Sequence, residues 1–162
     1  MEWATDGAVF DGCQFDGARL NASRHVKSAF LNCSFAGANL FTAEFVRCKM
    51  TGSGFPEATW RGSRIEGGDW SYCNLRYAEL SRANFREANL RDVDFSHANL
   101  SDGCFVGADM TRAVLARANL QGADFRGAVI TGIDFRQVSL QGVRLDYGQA
   151  AAVVNSLGAQ VE

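Results

Sequence analysis

Five cysteines and two histidines are the residues in this 162-residue chain whose types could do chemistry: thiol exchange, metal binding or proton transfer. No two cysteines stand at the C-x₂-C spacing of a zinc site, and two histidines are too few to complete one. Neither His25 nor His97 has a carboxylate or nucleophile placed by the sequence to form a proton relay with it. Aspartates are frequent, but they return because a repeat returns, and no glycine-rich phosphate loop or nucleophile motif is present. These observations argue against an enzyme and imply no cofactor and no metal.

The elements that must position these residues follow a period of five. From Phe10 to Leu145, 27 of 28 positions divisible by five are Phe, Leu, Met, Trp or Ile, and the exception is His25. Two residues before the large one stands a small one, as at Ala38, Cys48, Ala88 and Ala123. The residue just before it is often Asn or Asp, as at Asn84, Asn89, Asp94, Asn99 and Asp109. Two residues after it glycine recurs, as at Gly37, Gly62, Gly107 and Gly132, which suits a tight turn that needs positive φ. Neither the helical period nor plain alternation describes this pattern. Cys13, Cys33, Cys48 and Cys73 all occupy the small position and Cys104 the one beside it, so they read as interior filler. His25 in a core position reads as a locally distorted coil near the N-terminal end, and His97 as an ordinary surface side chain.

Composition allows one domain with a real core: 47% of residues are hydrophobic and 21% charged. The net charge of −2 comes from 18 acidic and 16 basic residues spread evenly along the chain, with no basic arm or acidic tail. No apolar run approaches membrane-spanning length and the start MEWATDG lacks a signal-peptide layout, so a cytoplasmic protein with no membrane contact is expected. After Leu145 the phase fails. Ala150, Val153, Val154 and Leu157 fall at i, i+3, i+4 and i+7, with Asp146 as a cap and Gly158 as a stop, which predicts a short amphipathic helix. The expected division is a repeat domain over 1–146 and a capping and dimerisation segment over 147–162. Tyr147 and Val161 add apolar surface that a two-fold homodimer would bury.

Runs such as Ala88-Asn89-Leu90 and Ala123-Asp124-Phe125 resemble the pentapeptide-repeat family. The resemblance implies an all-β solenoid, a right-handed quadrilateral β-helix with four five-residue sides per coil, here about seven coils and roughly 34 Å long. Residues 20 apart then become neighbours, which places Cys13 and Cys33 within disulfide range, although thiols are expected in a cytoplasmic protein. The same spacing sets Glu44 between Arg24 and Arg64 and pairs Glu66 with Arg86, Arg82 with Asp102, Asp92 with Arg112, Asp124 with Arg144 and Arg126 with Asp146. Opposite charges in stacked columns avoid repulsion between strands.

Within that family, the segment Ser23-Arg24-His25-Val26-Lys27-Ser28-Ala29-Phe30-Leu31-Asn32-Cys33-Ser34-Phe35 is similar to the quinolone-resistance branch, especially its Mfp type. Phe45, Cys48, Met50, Gly52-Ser53 and Phe55 continue the likeness. Leu145-Asp146-Tyr147-Gly148-Gln149-Ala150 with Leu157-Gly158 resembles the C-terminal dimerisation segment of Qnr and Mfp proteins, which makes Tyr147, Ala150, Val153, Val154 and Leu157 the expected dimer interface. The branch implies a dimeric rod that mimics duplex DNA and binds DNA gyrase, a type II topoisomerase. It would modulate supercoiling and protect against quinolones or similar poisons, with no direct contact to nucleic acid. Asp94, Asp109, Asp124 and Asp134 are the candidate partner-binding acids. A charge of −2 departs from a polyanion carrying one charge per about 1.7 Å. The alternative is a structural or adaptor protein whose flat faces bind an unrelated partner.

Overall fold

The structure is a computed structural model and describes residues 3–160; Val161 lies outside them. Six short strands, β1 (Ala4–Asp6), β2 (Val9–Asp11), β3 (Arg24–Val26), β4 (Ala29–Leu31), β5 (Glu44–Val46) and β6 (Arg64–Glu66), form two parallel sheets in the orders β1-β3-β5-β6 and β2-β4. Their register sets Ala4 opposite Arg24, Arg24 opposite Glu44, and Glu44 opposite Arg64. Single bridges carry the 20-residue register onward, as between Gln14 and Ser34, Arg19 and Asn39, and Asn99 and Asn119. The chain is a right-handed quadrilateral β-helix. Side 1 has His25, Phe45, Phe85, Phe105 and Phe125 at its centre; sides 2, 3 and 4 follow five, ten and fifteen residues later.

Every central residue from Phe30 to Phe135 is buried, because one coil cannot cover its own inner face and stacking makes the core continuous. Aromatic rings stack along the axis at ladder spacing, with Phe35 on Phe55 at 4.7 Å and Phe105 on Phe125 at 4.7 Å. Leu140, expected inside, is only half-buried. The last coil opens on sides 3 and 4: among the described residues no bridge joins Val114 to Asp134 or Asn119 to Ser139. The Arg117 amide there reaches Gln137 O, one residue beyond the regular partner.

Corner residues, two after each centre from Phe10 to Leu140 except Phe135, hold φ between 46° and 79°, and 15 of them are not glycine. The left-handed region costs a non-glycine residue roughly 1–2 kcal/mol. A ladder hydrogen bond anchors these corners: His97 N donates to Ala116 O at 2.9 Å and Tyr77 N to Ser96 O at 3.1 Å.

His25 is a correction to the expected distortion. Its coil is in full register, with His25 opposite both Thr5 and Phe45. The ring is completely buried, its Nδ1 is 2.8 Å from Thr5 Oγ1 and its Nε2 3.0 Å from Ser23 Oγ, so two hydroxyls satisfy an imidazole where others have a phenyl. Above it Trp3 closes the N-terminal end, contacting Phe10, Phe15 and His25 at centroid distances of 5.6, 5.7 and 4.7 Å.

At the other end α1 (Tyr147–Ser156) begins with a capping box between Asp146 and Gln149. The Gln149 side chain is buried and donates to Phe125 O, which also accepts from Ala128 N, and, at 2.7 Å, to Ala128 O, a carbonyl of the last coil that has no further coil to accept from. Val153 is buried one turn later. The predicted apolar stripe therefore divides: Gln149 and Val153 face the coil, while Tyr147, Val154 and Leu157 are exposed and Ala150 is half-buried.

Candidate interaction surface

A surface site on this rod is built from the residues flanking each buried centre, which point outward. The Asn or Asp before the centre has a structural task that explains its recurrence. Its Oδ1 accepts the backbone N–H two residues on, an Asx turn within each side. Asn74, Asn84, Asn89, Asn99 and Asn119 do this for Arg76, Arg86, Arg91, Ser101 and Gln121.

The four candidate acids share that role. Asp94, Asp109, Asp124 and Asp134 accept from Ser96 N at 2.9 Å, Thr111 N at 3.0 Å, Arg126 N at 3.2 Å and Arg136 N at 3.0 Å. The second oxygen of each meets an arginine: Arg76 at 3.1 Å, Arg91 at 2.9 Å, Arg126 at 2.7 Å and Arg136 at 2.7 Å, respectively. All four carboxyls lie below the usual carboxylate range. Partial burial works against ionisation at Asp94 and Asp109, but the hydrogen bonds from Ser96 and Thr111, together with Arg76 and Arg91, outweigh it. The side-chain hydrogen bond from Arg126 leads at Asp124, and that from Arg136 holds Asp134 at about 2. The acids are thus ionised, and each is matched by a cation. The structure does not gather them: Asp94 and Asp134 lie on side 3, Asp109 on side 2 and Asp124 on side 1.

Ion pairs elsewhere agree in part with the 20-residue expectation. Arg24 meets Glu44 at 3.2 Å, Arg112 meets Asp92 at 2.7 Å and Arg144 approaches Asp124 at 3.9 Å. Arg64 turns to Glu66 at 3.0 Å and Arg126 to Asp124, because residues two apart flank one centre and point to the same outer face, within reach of a long arginine side chain. Asp146 is engaged as the helix cap and accepts from Gly127 N at 3.0 Å. Glu66 with Arg86 and Arg82 with Asp102 form no ion pair within the described residues. His97 is half-buried and stacks on Tyr77 at 4.7 Å, with Arg76 5.7 Å from the Tyr77 ring, a surface feature that the repeat pattern alone does not signal.

The five cysteines are free thiols, with Cys33, Cys48 and Cys73 buried. Burial pushes Cys48 up to about 11 and Cys73 higher still, so neither is a nucleophile near neutrality. Among the described residues no group of three His, Cys, Asp or Glu side chains is placed to hold a metal ion, and no helix is long and apolar enough to cross a membrane.

Family models agree with this geometry. Pentapeptide repeats, in 8 copies, match residues 94–132 and 104–142, and a pentapeptide repeat region matches 38–105. The chain belongs to the pentapeptide-repeat family. Among solved pentapeptide-repeat structures it is similar to HetL, a protein involved in heterocyst differentiation regulation from the cyanobacterium Nostoc sp. strain PCC 7120, with 28% identity, a TM-score of 0.82, and coverage of 90% of this chain and 67% of that one. It also matches full-length QnrB1, a plasmid-mediated fluoroquinolone resistance protein, with 21% identity, a TM-score of 0.33 and 98% of both chains covered. No curated protein sequence matches the chain.

Proposed function

We propose that this pentapeptide-repeat protein is a non-enzymatic, dimeric rod that binds a type II topoisomerase, DNA gyrase foremost, modulating supercoiling and protecting the enzyme from quinolones or similar poisons. The observation that carries the reading is the likeness of the 23–35 segment and of the segment from Leu145 to Gly158 to the quinolone-resistance branch. Support comes from the rod's shape, with no insertion breaking the five-residue phase, and from the exposed Tyr147, Val154 and Leu157 beside half-buried Ala150 at its end. These four residues fall at helical spacing on one stripe of α1 and its C-cap Leu157, which a second copy would cover through a two-fold contact. Residues 147–162 are the dimerisation segment in this reading, and the repeat domain occupies 1–146. The protein does not contact nucleic acid itself.

The adaptor reading is favoured by one feature, the pairing of each candidate acid with an arginine. Supercoiling by purified gyrase, with and without a quinolone, separates the two. The expected result is an altered supercoiling rate and reduced drug-dependent cleavage; no effect and no gyrase binding at low salt would leave the adaptor reading. Replacing Asp94, Asp109, Asp124 and Asp134 together by Asn keeps the Asx turns and removes four charges. Loss of activity in that variant assigns the effect to those acids, and retained activity removes them from it. Sedimentation of the intact chain should show a dimer that Val154→Asp with Leu157→Asp weakens.

A further inference from the structure

We infer that the corner between the two β-sheets is a second binding surface, for an extended acidic peptide segment with apolar side chains supplied by a partner protein. Three observations converge on residues 9–49 and the two coils beneath them.

First, the outward positions here are apolar. Val9 on β2 is 69% exposed, and Val26, Ala29, Leu31 and Val46 on β3, β4 and β5 are each half-exposed on the two sides that meet at this corner. Elsewhere the same positions are largely Asn, Asp, Ser, Thr or Arg.

Second, the cations at this corner are free. Lys27 and Arg47 occupy it directly, Lys49 follows on side 2, and Arg86 lies two coils beyond Arg47; all four are exposed and none makes an ion pair within the described residues. Eight other arginines do: Arg24, Arg64, Arg76, Arg91, Arg112, Arg126, Arg136 and Arg144. Of the nearby acids, Glu66 is held by Arg64, and Asp69 accepts twice from Ser71. Asp69 stacks next to Lys49, while Asp6, opposite Val26, and Glu87 make no ion pair within the described residues, so five cations, Arg64 included, meet four acids at this corner.

Third, the wall parts beside Arg47. β6 is in regular register with β5, but Glu66 then bridges to Asn84, 18 residues on, and Gly67 N donates to Asn84 O at 3.0 Å. Gly107, at the equivalent corner, donates to Arg126 O, so the regular partner of Gly67 is Arg86 O, which here receives no backbone hydrogen bond. Two consecutive glycines permit the slip, Gly67 at φ 59° and Gly68 at φ 96°, where any Cβ would lie 2.3 Å from Cys48 O. The result is a cleft of about 480 Å³ lined by Arg47, Gly67, Gly68 and Arg86 with Glu66 and Glu87.

An extended segment satisfies all three: its N–H groups can donate to the freed carbonyl, its carboxylates meet the unpaired cations, and its apolar side chains cover the valines and Leu31. A planar lipid surface cannot enter the cleft, and duplex nucleic acid offers little to the apolar residues. The inference does not depend on topoisomerase binding, since a DNA-binding groove is cationic and would be repelled by this corner.

The test is selection from a random peptide library displayed on phage, with the wild-type protein as bait and counter-selection on Lys27→Gln/Arg47→Gln/Lys49→Gln. Selected peptides are then synthesised and titrated by fluorescence anisotropy. Acidic, apolar-rich sequences are expected, weakened about tenfold by the triple substitution and weakened again by raising the salt, but unaffected by the four Asp→Asn changes. The inference is overturned if the selected peptides carry no net negative charge, if they bind the triple variant equally, or if none is selected. Binding of phosphatidylglycerol vesicles or duplex DNA in their place overturns it equally. Melting curves confirm that the triple variant is folded; should it not be, Arg86→Gln with Val26→Ser probes the same surface without touching a left-handed corner, and the same outcomes decide.

Discussion

Acid should weaken the N-terminal coils through one side chain. His25 is sealed among Trp3, Phe30 and Phe45, and its two ring nitrogens face only the hydroxyls of Thr5 and Ser23. Ser28 Oγ, 2.9 Å from Thr5 Oγ1, extends the chain of hydroxyls without adding a charge. The titratable group touching this residue is Cys48, whose thiol donates to His25 O at 3.3 Å and is itself neutral. Burial therefore lowers the imidazole from 6.5 to about 4. The unfolded chain takes up a proton near pH 6.5 and the folded chain only near pH 4, so more protons are bound unfolded across that window and stability rises with pH. It is fully present above the unfolded value and falls as pH drops, by roughly 2 kcal/mol at about pH 5 and about 3 kcal/mol once pH passes below the folded value. Carboxylate protonation adds its own loss only at lower pH. Urea unfolding at pH steps across this window should show the slope in the wild type and lose it in His25→Phe, which places a phenyl in the Phe45 column. An unchanged slope in the variant, or a His25 ring that titrates near 6.5 by NMR, would refute the reasoning.

Further expectations concern packing and reactivity. Phe95→Ala removes a fully buried ring and should cost about 3–5 kcal/mol in urea unfolding, and a cost below about 1 kcal/mol would contradict a shared core. Gly68→Ala should cost more than about 2 kcal/mol because its Cβ meets Cys48 O, whereas Gly37→Ala, at φ 63° in open space, should cost only about 1–2 kcal/mol. Gln149→Ala strips the partner from the Ala128 carbonyl and one of two donors from Phe125 O, and should destabilise the end of the rod by about 1–3 kcal/mol, seen as faster amide exchange in α1 while the middle coils keep their protection. Brief treatment with a thiol reagent, read by mass spectrometry, should label Cys13 and Cys104 well before Cys33, Cys48 and Cys73.

The core was legible because the repeat is strict: a large residue every fifth position can face one way only if the chain turns every five, and burial from Phe30 to Phe135 follows from that alone. His25 misled because residue type was weighed without the hydroxyls that satisfy it; Thr5, Ser23 and Ser28 lie 20, 2 and 3 residues away and become a set only after stacking. The glycine rule was also too narrow, since Tyr72, Tyr77 and several arginines adopt the same left-handed corner when a ladder bond holds it. Gly67-Gly68 was visible as a doublet, yet its register slip depends on how Ile65 and Asn84 meet across coils, which no local pattern encodes. Among the candidate acids, recurrence suggested a common surface. What they share is a turn, and their distribution over three sides follows from positions whose spacings are not all multiples of 20.

The Asx turn has a consequence for how such a surface changes over generations. Asn and Asp accept the same backbone N–H with the same oxygen, as Asn89 and Asp109 do one above the other, and their codons differ by a single nucleotide. Each such position is a charge setting that can be altered without disturbing the turn beneath it. A lineage can therefore move this rod from neutral to strongly anionic one mutation at a time while every intermediate stays folded, and selection for a new partner acts on the surface alone.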